Sequence, residues 1–465
     1  MKWEKVSLSG WGRIGRAEHM ACAPEDTAEA CAALGMADER GIIPFGQGRS
    51  YGDAALNPRG FALLTARLNR VVDFDPATGN IVCEPGVTFH DLFREFLPRG
   101  YIVPVTPGTG FASIGGAVAN DVHGKNHEHA GSFCNHVQWL DLLLPSGEIV
   151  RTSPLVRPEL FAATVGGIGL TGVIVAVAFA LQRVETNAVL LREERIKNLD
   201  DFFAAFERVR GTATYSVGWI DALTTGRALG RGVLETAELA TESVPMPQPR
   251  RWRVPVDFPD FALNAWTVRA FNQLYYRRVP TRGRERLLAL DRFFYPLDAI
   301  RDWNRIYGKR GFYQFQCVVP DDRAFAGIRR LLEEVARSRA GSFLAVLKTL
   351  GDEGKGYLSF PMRGYTLALD FAARPGVREL LGRLERITLD HGGRIYLAKD
   401  ACLSAEGFRA MYPKLERFRA VLAEVDPQAR MNSDLARRLG IRAHGGRTVR
   451  QDAAAGLETG VLLRA

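Results

Sequence analysis

Apolar positions in the first 185 residues come in short runs broken by glycine and proline. "GIIPF" (41–45) and "GNIVCEPG" (79–86) predict strands closed by turns. "TFHDLFREFLPRG" (88–100) switches to helical spacing, with Phe89, Leu92, Phe93, Phe96 and Leu97 on one face. Thr88 with Asp91 supplies a cap, and Pro98 and Gly100 end the helix. "HVQWLDLLLPSGEIVRT" (136–152) predicts a β-hairpin around its "PSGE" turn. The longest apolar run, "GLTGVIVAVAFAL" (169–181), is shorter than the roughly 18 residues of a membrane span and rich in β-branched residues, so it predicts a buried strand.

Past Arg183 the pattern changes. From Val184 to Gly393, strands such as "FYQFQCVVP" and "YTLALDF" alternate with amphipathic helices, "DRAFAGIRRLLEEVARSRAG" and "GVRELLGRLERITLDHGG". This predicts one antiparallel sheet covered by helices, and for the whole chain an α+β class rather than a regular βαβ alternation. Ser243–Arg286, rich in proline, arginine and aromatics, is expected to be a long mobile loop or a surface patch. The tail over 446–465 is expected to be flexible, and no short-period repeat is present.

Composition narrows the function classes. At 465 residues the chain is long enough for two or three domains, and 46% hydrophobic with 24% charged residues is globular usage. The formal charge of +9 favours anionic partners. The arginine content alone would allow nucleic-acid binding, but no stacking platform or recognised module accompanies it, so no nucleic-acid partner is expected. The six cysteines form no CxxC pair or framework spacing, which predicts free thiols in a reducing compartment. The N-terminal stretch "MKWEKVSLSGWGRIGR" has no apolar h-region, so neither a signal peptide nor a transmembrane helix is expected and the expected location is cytoplasmic.

The glycine-rich stretches carry the chemistry. "GQGRSYGDAA" (46–55) has a tyrosine where a dinucleotide fingerprint needs its third glycine, and no helical pattern follows. No GK[ST] follows either, so it is not a P-loop. What remains is a turn of exposed backbone N–H groups beside Arg49, suited to phosphate oxygens, or a plain hairpin turn. "PGTGFASIGGAVANDVHGKNHEHAGSF" (107–133) adds Gly108, Gly110, Gly115 and Gly116, then His123, Lys125, Asn126 and His127. His123, His127 and His129 allow a metal-site reading, and with it a histidine-metal hydrolase. The internal glycine and the missing helical periodicity weigh against it, and no metal is expected. "ATVGGIGLTGVI" (163–174) is a third cluster. Three such loops in one half of the chain suit a long ligand touched along its length, as a dinucleotide is.

The motifs "GWGR" (10–13), "GRSYGD" (48–53), "VPVTPGT" (103–109), "HGKNH" (123–127) with "AGSF" after it, and "ATVGGIGLTG" (163–172) resemble the FAD-binding domain of PCMH-type flavoproteins, the vanillyl-alcohol-oxidase superfamily. In the second half "FYPLD" (294–298), "WNRIYG" (303–308), "YQFQ" (313–316), "LSFP" (358–361) and "YLAKD" (396–400) extend the likeness over nearly the whole chain. The likeness is greatest to the branch that oxidises decaprenylphosphoryl-β-D-ribose at the 2′ position.

The resemblance implies an FAD-binding domain over 1–185, to which residues 394–445 return, and a substrate-binding domain over 186–393. It implies FAD contacts from Gly46, Gln47, Gly48, Arg49, Ser50, Tyr51, Gly108, Thr109, Gly115, Gly116, Asn120, His123, Gly124, Asn126, Gly169, Ile174 and Tyr396. Many relatives bind FAD covalently through a histidine at the position of Arg49, so FAD here is expected to be non-covalent. Lys399 is expected as the catalytic base or as a charge beside the flavin, with His123 and Tyr51 as alternative bases. Lys125, Trp219, Gln314, Gln316, Lys348 and Thr366 are expected to meet the substrate. The implied reaction is oxidation of a secondary 2′-hydroxyl of a polyprenyl-phosphate-linked pentose to the keto sugar. This is the first half of an epimerisation in cell-envelope glycan synthesis that an NAD(P)H-dependent short-chain reductase completes. An oxidase of a soluble alditol or sugar lactone is the alternative. Four positions depart from the family pattern: Ala368 for a cysteine, Thr366 for an asparagine, Ile168 for an asparagine and Asn120 for a cysteine. Loss of the cysteine implies that thiol-directed covalent inhibitors fail. The basic aromatic segment 248–286, with Arg250, Arg251, Trp252, Arg253, Arg277, Arg278, Arg282 and Arg284, is expected either to be solvated or to rest peripherally on an anionic inner-membrane surface.

Overall fold

The computed structural model describes residues 2–245, 252–341 and 343–442. The expected flexible tail, and Arg250 and Arg251 of the basic segment, lie outside these residues. The chain folds as an α+β protein built on three main sheets.

The first half holds two of them. A four-stranded sheet runs in the order Glu4–Leu8, Ala17–Cys22, Phe61–Leu64, Ile42–Phe45. A five-stranded antiparallel sheet runs Val71–Phe74, Asn80–Cys83, Val173–Ala180, Val137–Leu143, Ile149–Thr152. Its central strand is the apolar run of the sequence. Six of its eight residues are buried, as an inner strand covered on both faces requires. The helix Phe89–Phe96 has the full capping box: Asp91 N–H donates to Thr88 Oγ1 and Thr88 N–H donates to Asp91 Oδ2. Its four buried apolar residues, Phe89, Leu92, Phe93 and Phe96, dock on the five-stranded sheet through one continuous core.

The second half is an eight-stranded sheet, antiparallel throughout, in the order Arg284–Ala289, Ala188–Ile196, Gly232–Leu239, Tyr215–Ile220, Ala345–Leu350, Gly364–Ala372, Phe312–Pro320, Arg394–Ile395. The amphipathic helices Asp321–Ser338 and Val377–Asp390 cover one face with their leucines. After Ile395 the chain returns to the first sheet. Met431 bridges Ile42, and Arg438 spans Asp53 (2.8 Å) and Asp400 (2.9 Å).

Ser243–Arg286 differs from the expected mobile loop. It contains the helix Ala265–Arg277, capped by Asn264, and ends in the edge strand Arg284–Ala289. The helix escapes sequence reading because it turns large apolar residues outward: Trp266 is 79% and Leu274 73% exposed.

Candidate active site

A cavity of about 760 Å³ lies where the glycine loops face the open side of the eight-stranded sheet. The strand Ile42–Phe45 delivers the loop Gly46–Gly52 to its wall. Gly48 takes φ +62°, which opens the turn. The next side chain, Arg49, is held between two aromatic faces, 4.2 Å from the Trp11 ring centre and 5.2 Å from that of Phe111. The second loop, Gly108–Gly116, leads into the short helix Ile114–Ala119. "FYPLD" anchors this loop: Tyr295 OH shares a 2.7 Å hydrogen bond with Thr106 Oγ1. Asp298 accepts from Thr109 Oγ1 (2.8 Å) and from the Gly110 N–H (2.7 Å). The third loop places Ile168 and Gly169 on the wall. Ile168 sits at φ +50°, a left-handed conformation unusual for a β-branched residue, where an asparagine would be at ease.

Strand alternation builds the opposite wall. On Phe312–Pro320, Gln314 and Gln316 are two apart and so share a face. Register sets Gln314 opposite Asp370, and Gln316 opposite Ala368. The next strand sets Val346 opposite Ala368 and Lys348 opposite Thr366. Gln314, Gln316, Val346, Lys348, Ala368 and Trp219 all line the cavity. Lys399, in the turn after "YLA", lies 3.8 Å from the Tyr51 ring centre. Gln316 Nε2 lies 3.0 Å from His123 Nε2 and donates also to Thr366 Oγ1 at 3.3 Å. With the amide so oriented, His123 Nε2 accepts and Nδ1 carries the proton.

Three lysines share this cavity. Burial lowers Lys399 to about 7, against the opposing charge of Asp370 and with help from Lys348. Burial lowers Lys348 to about 8, helped by Lys125, and lowers Lys125 itself to about 8. Lys125 Nζ donates to the Phe293 carbonyl at 2.5 Å, and Lys348 Nζ to the Gly124 carbonyl at 3.4 Å. Burial raises Asp370 to about 7, although Gln314 Nε2 (2.5 Å) and Tyr307 OH (3.1 Å) both donate to it. Burial pushes Tyr51 well above, and His123 well below, their ordinary values. Near neutral pH, Tyr51 is therefore a neutral phenol and His123 a weakly basic neutral imidazole. Of the three expected bases, Lys399 alone is poised to exchange a proton near pH 7.

Most of the expected site residues line this one cavity. Two do not. Asn126 is turned inward, its Nδ2 donating to the Pro104 carbonyl at 2.9 Å, and Thr366 sits behind Gln316. Neither side chain lines the cavity; Asn126 braces the Pro104 carbonyl and Thr366 accepts from Gln316. Gln314, for which solvent exposure was open, faces the cavity and Asp370. Sequence reasoning missed Asp370, Trp11, Trp303 and Phe343; the one available signal was Asp370 two residues after Ala368 on the same strand. The histidine cluster disperses into structure. His127 accepts from the Gly351 N–H at 3.0 Å and meets Ser132 Oγ at 3.2 Å, so both ring nitrogens are engaged. Among the described residues no group of three His, Cys, Asp or Glu is placed to hold a metal ion.

The wall fits a dinucleotide. Arg49 Nε, Asn120 Oδ1 and His123 Nδ1 are buried polar atoms with no protein partner, and all three residues line the cavity. Such atoms cost roughly 1–3 kcal/mol each unless a ligand or water meets them. A Cβ on Gly108 would meet no protein atom within 4 Å and would stand at the cavity wall.

Comparison with known proteins agrees. Residues 19–153 match the FAD binding domain family, and residues 367–439 match the D-arabinono-1,4-lactone oxidase family. Decaprenylphosphoryl-β-D-ribose oxidase of Mycolicibacterium smegmatis is 36% identical over 447 residues, 93% of this chain and 97% of that protein. An uncharacterised protein of Streptomyces coelicolor is 35% identical over 76% of this chain and its own whole length. The mitochondrial cytochrome-linked D-lactate dehydrogenase of Arabidopsis thaliana is 28% identical over 32% of this chain and 27% of its own.

Proposed function

The chain belongs to the decaprenylphosphoryl-β-D-ribose oxidase family of FAD-linked oxidoreductases, and from that premise we infer that it oxidises the 2′-hydroxyl of a polyprenyl-phosphate-linked pentose to the 2′-keto sugar. The observation that carries this reading is the set of three half-buried lysines lining one cavity, each with its pKa lowered by desolvation. Two of them, Lys125 and Lys348, repel each other and, among the described residues, donate hydrogen bonds only to carbonyl oxygens, a place an anionic phosphate would relieve. The third, Lys399, titrates where a base for a hydroxyl must.

The residues divide the work. Lys399 Nζ, neutral, takes the 2′-hydroxyl proton, and Asp370 offsets the charge that Lys399 then carries. His123, holding its proton on Nδ1, orients the sugar by donating a hydrogen bond, and Gln316 fixes that tautomer, its two amide hydrogens spent on His123 Nε2 and Thr366 Oγ1. Tyr51, a neutral phenol, walls the site beside Lys399 and keeps it apolar enough to hold the lysine's pKa down. FAD, when bound, supplies the two-electron acceptor for the hydride leaving the sugar carbon. Gly46 to Tyr51 and Gly108 to Gly116 would hold its pyrophosphate, and Asn120, Gly124, Gly169, Ile174 and Tyr396 its other groups. Arg49 stands between Trp11 and Phe111 and offers no nucleophile for a covalent link, so FAD is held non-covalently. On this reading the FAD-binding part is 1–185 with 394–445, and 186–393 receives the substrate.

The lipid reaches the site from a membrane surface. No helix among the described residues is long and apolar enough to cross a membrane. The helix Ala265–Arg277 lends Phe271 and Tyr275 to the cavity lining and turns Trp266 and Leu274 to solvent; Trp252 is 72% and Phe261 77% exposed. Exposed aromatics beside arginines at the entrance of a lipid-phosphate cavity suit peripheral contact with anionic headgroups. A nicotinamide-dependent short-chain reductase then completes an epimerisation.

The test compares two substrates on the purified yellow protein under anaerobic conditions. Polyprenylphosphoryl ribose bleaches the flavin and a soluble pentonolactone does not. The reverse result would assign the chain to lactone oxidation, the activity named by the family matched over 367–439. Acid precipitation releases the colour to the supernatant if FAD is non-covalent.

A further inference from the structure

A second concavity, of about 550 Å³, lies outside the residues assigned to the active site. Three separate segments form it: Arg13–Arg16, Lys309–Arg310 with Tyr313, and Ala373–Arg378. Its lining carries six cations, Arg13, Arg16, Lys309, Arg310, Arg374 and Arg378, and no carboxylate. Like charges gathered in one hollow repel, so a fold keeps them together only against some compensation.

The protein supplies part of it. Arg13 makes a two-pronged contact with Asp257, at 2.6 and 3.2 Å, and Arg310 pairs with Asp260 at 2.8 Å. Arg374 donates to the Asp260 carbonyl. Neither Arg16 nor Lys309 has a carboxylate within ion-pair distance among the described residues. Six cations against two carboxylates leave four positive charges. Arg13 also holds φ +57°, a left-handed conformation that a non-glycine residue seldom adopts, and its fork is fixed by Asp257. A strained, oriented arginine in a concave cationic wall is a pattern of ligand sites. Gly311, at φ +73°, lies so close to Gly12 that any side chain would strike its carbonyl at 2.2 Å, and this contact joins two of the three segments.

We propose that this hollow is a binding site for a small polyanion of the pyrophosphate class, separate from the FAD and sugar site. Four uncompensated charges match a diphosphate better than a monoanion. Arginine forks grip phosphate oxygens pairwise. Tyr313, half-buried in the wall, offers an aromatic ring beside the anion, so a nucleoside diphosphate shares the same chemistry. The site does not depend on which sugar the enzyme oxidises.

The test is calorimetric titration of the FAD-loaded holoenzyme with inorganic pyrophosphate at low ionic strength, so that the cofactor site is already filled. The expected result is one bound pyrophosphate per chain. The double variant Arg16→Ala/Lys309→Ala binds it at least tenfold more weakly and keeps the flavin spectrum of the parent, since both side chains are exposed and unpaired with carboxylates. Arg330→Ala, an exposed cation elsewhere on the surface, serves as the control and leaves binding unchanged. Tighter binding of ADP than of pyrophosphate assigns a nucleotide; equal binding assigns a bare diphosphate. Unchanged binding in the double variant, or sulfate binding as tightly as pyrophosphate, overturns the site.

Discussion

Replacing Lys399 by methionine removes the ammonium and keeps an unbranched side chain of similar length against the Tyr51 ring. Lys399 titrates at about 7, so about half of it is neutral at pH 7 and about a tenth at pH 6. A base that must be neutral then gives the wild type a reductive rate falling tenfold per pH unit below 7. Loss of a positioned base costs about 10²–10⁴ in rate, which at 1.36 kcal/mol per decade is roughly 3–5 kcal/mol. Lys399→Met is therefore expected to bleach its flavin about 100- to 10,000-fold more slowly with polyprenylphosphoryl ribose, and to lose the acidic limb. Asp370→Asn isolates the electrostatic part. Asp370 raises the lysine's pKa, so its removal moves the limb to lower pH while leaving the base in place. The assay is single-turnover anaerobic absorbance from pH 5.5 to 9. A Lys399→Met enzyme keeping more than half the wild-type rate, or an acidic limb unmoved in Asp370→Asn, would refute this role.

Other consequences are separable from it. Gly108→Ala needs no left-handed backbone and its Cβ meets no protein atom within 4 Å, so the apoprotein should unfold within about 0.5 kcal/mol of wild type while FAD affinity, read by fluorescence titration, falls at least tenfold. Burial holds Lys348 near 8 in the fold against its ordinary value of 10.5, so the unfolded chain binds more protons between those values and stability rises with pH there. Lys348→Met should accordingly raise the melting temperature most below pH 8, with the gain shrinking towards pH 10 in scanning calorimetry. Trp266→Ser with Leu274→Ser should weaken sedimentation with anionic vesicles several-fold and leave turnover of a short-chain soluble analogue unchanged.

Local signals were legible where local physics decides structure. The capping box of Thr88 and Asp91, the "PSGE" hairpin and the buried strand Val173–Ala180 each rest on neighbours within a few residues. The glycine loops pointed to a long ligand, and they do converge on one cavity. What the sequence hid depends on register and on distant partners. Asp370 reaches Gln314 across 56 positions through one ladder pairing, and nothing near "LDF" announces it. Asn126 resembles a ligand contact in "HGKNH", yet its amide is consumed by Pro104. The helix Ala265–Arg277 carries its large apolar residues on the solvent side, so its pattern imitates a loop. The cationic hollow joins residues near positions 13, 309 and 374, which no window of sequence contains.

The central claim is tested most directly by product chemistry in a single anaerobic turnover. One equivalent of polyprenylphosphoryl ribose is mixed with the oxidised holoenzyme, and the product is trapped with borodeuteride. The account predicts a bleached flavin and one deuterium at C2 of the pentose, in a mixture of ribo and arabino epimers. A flavin that stays oxidised, or deuterium at another carbon, would contradict it.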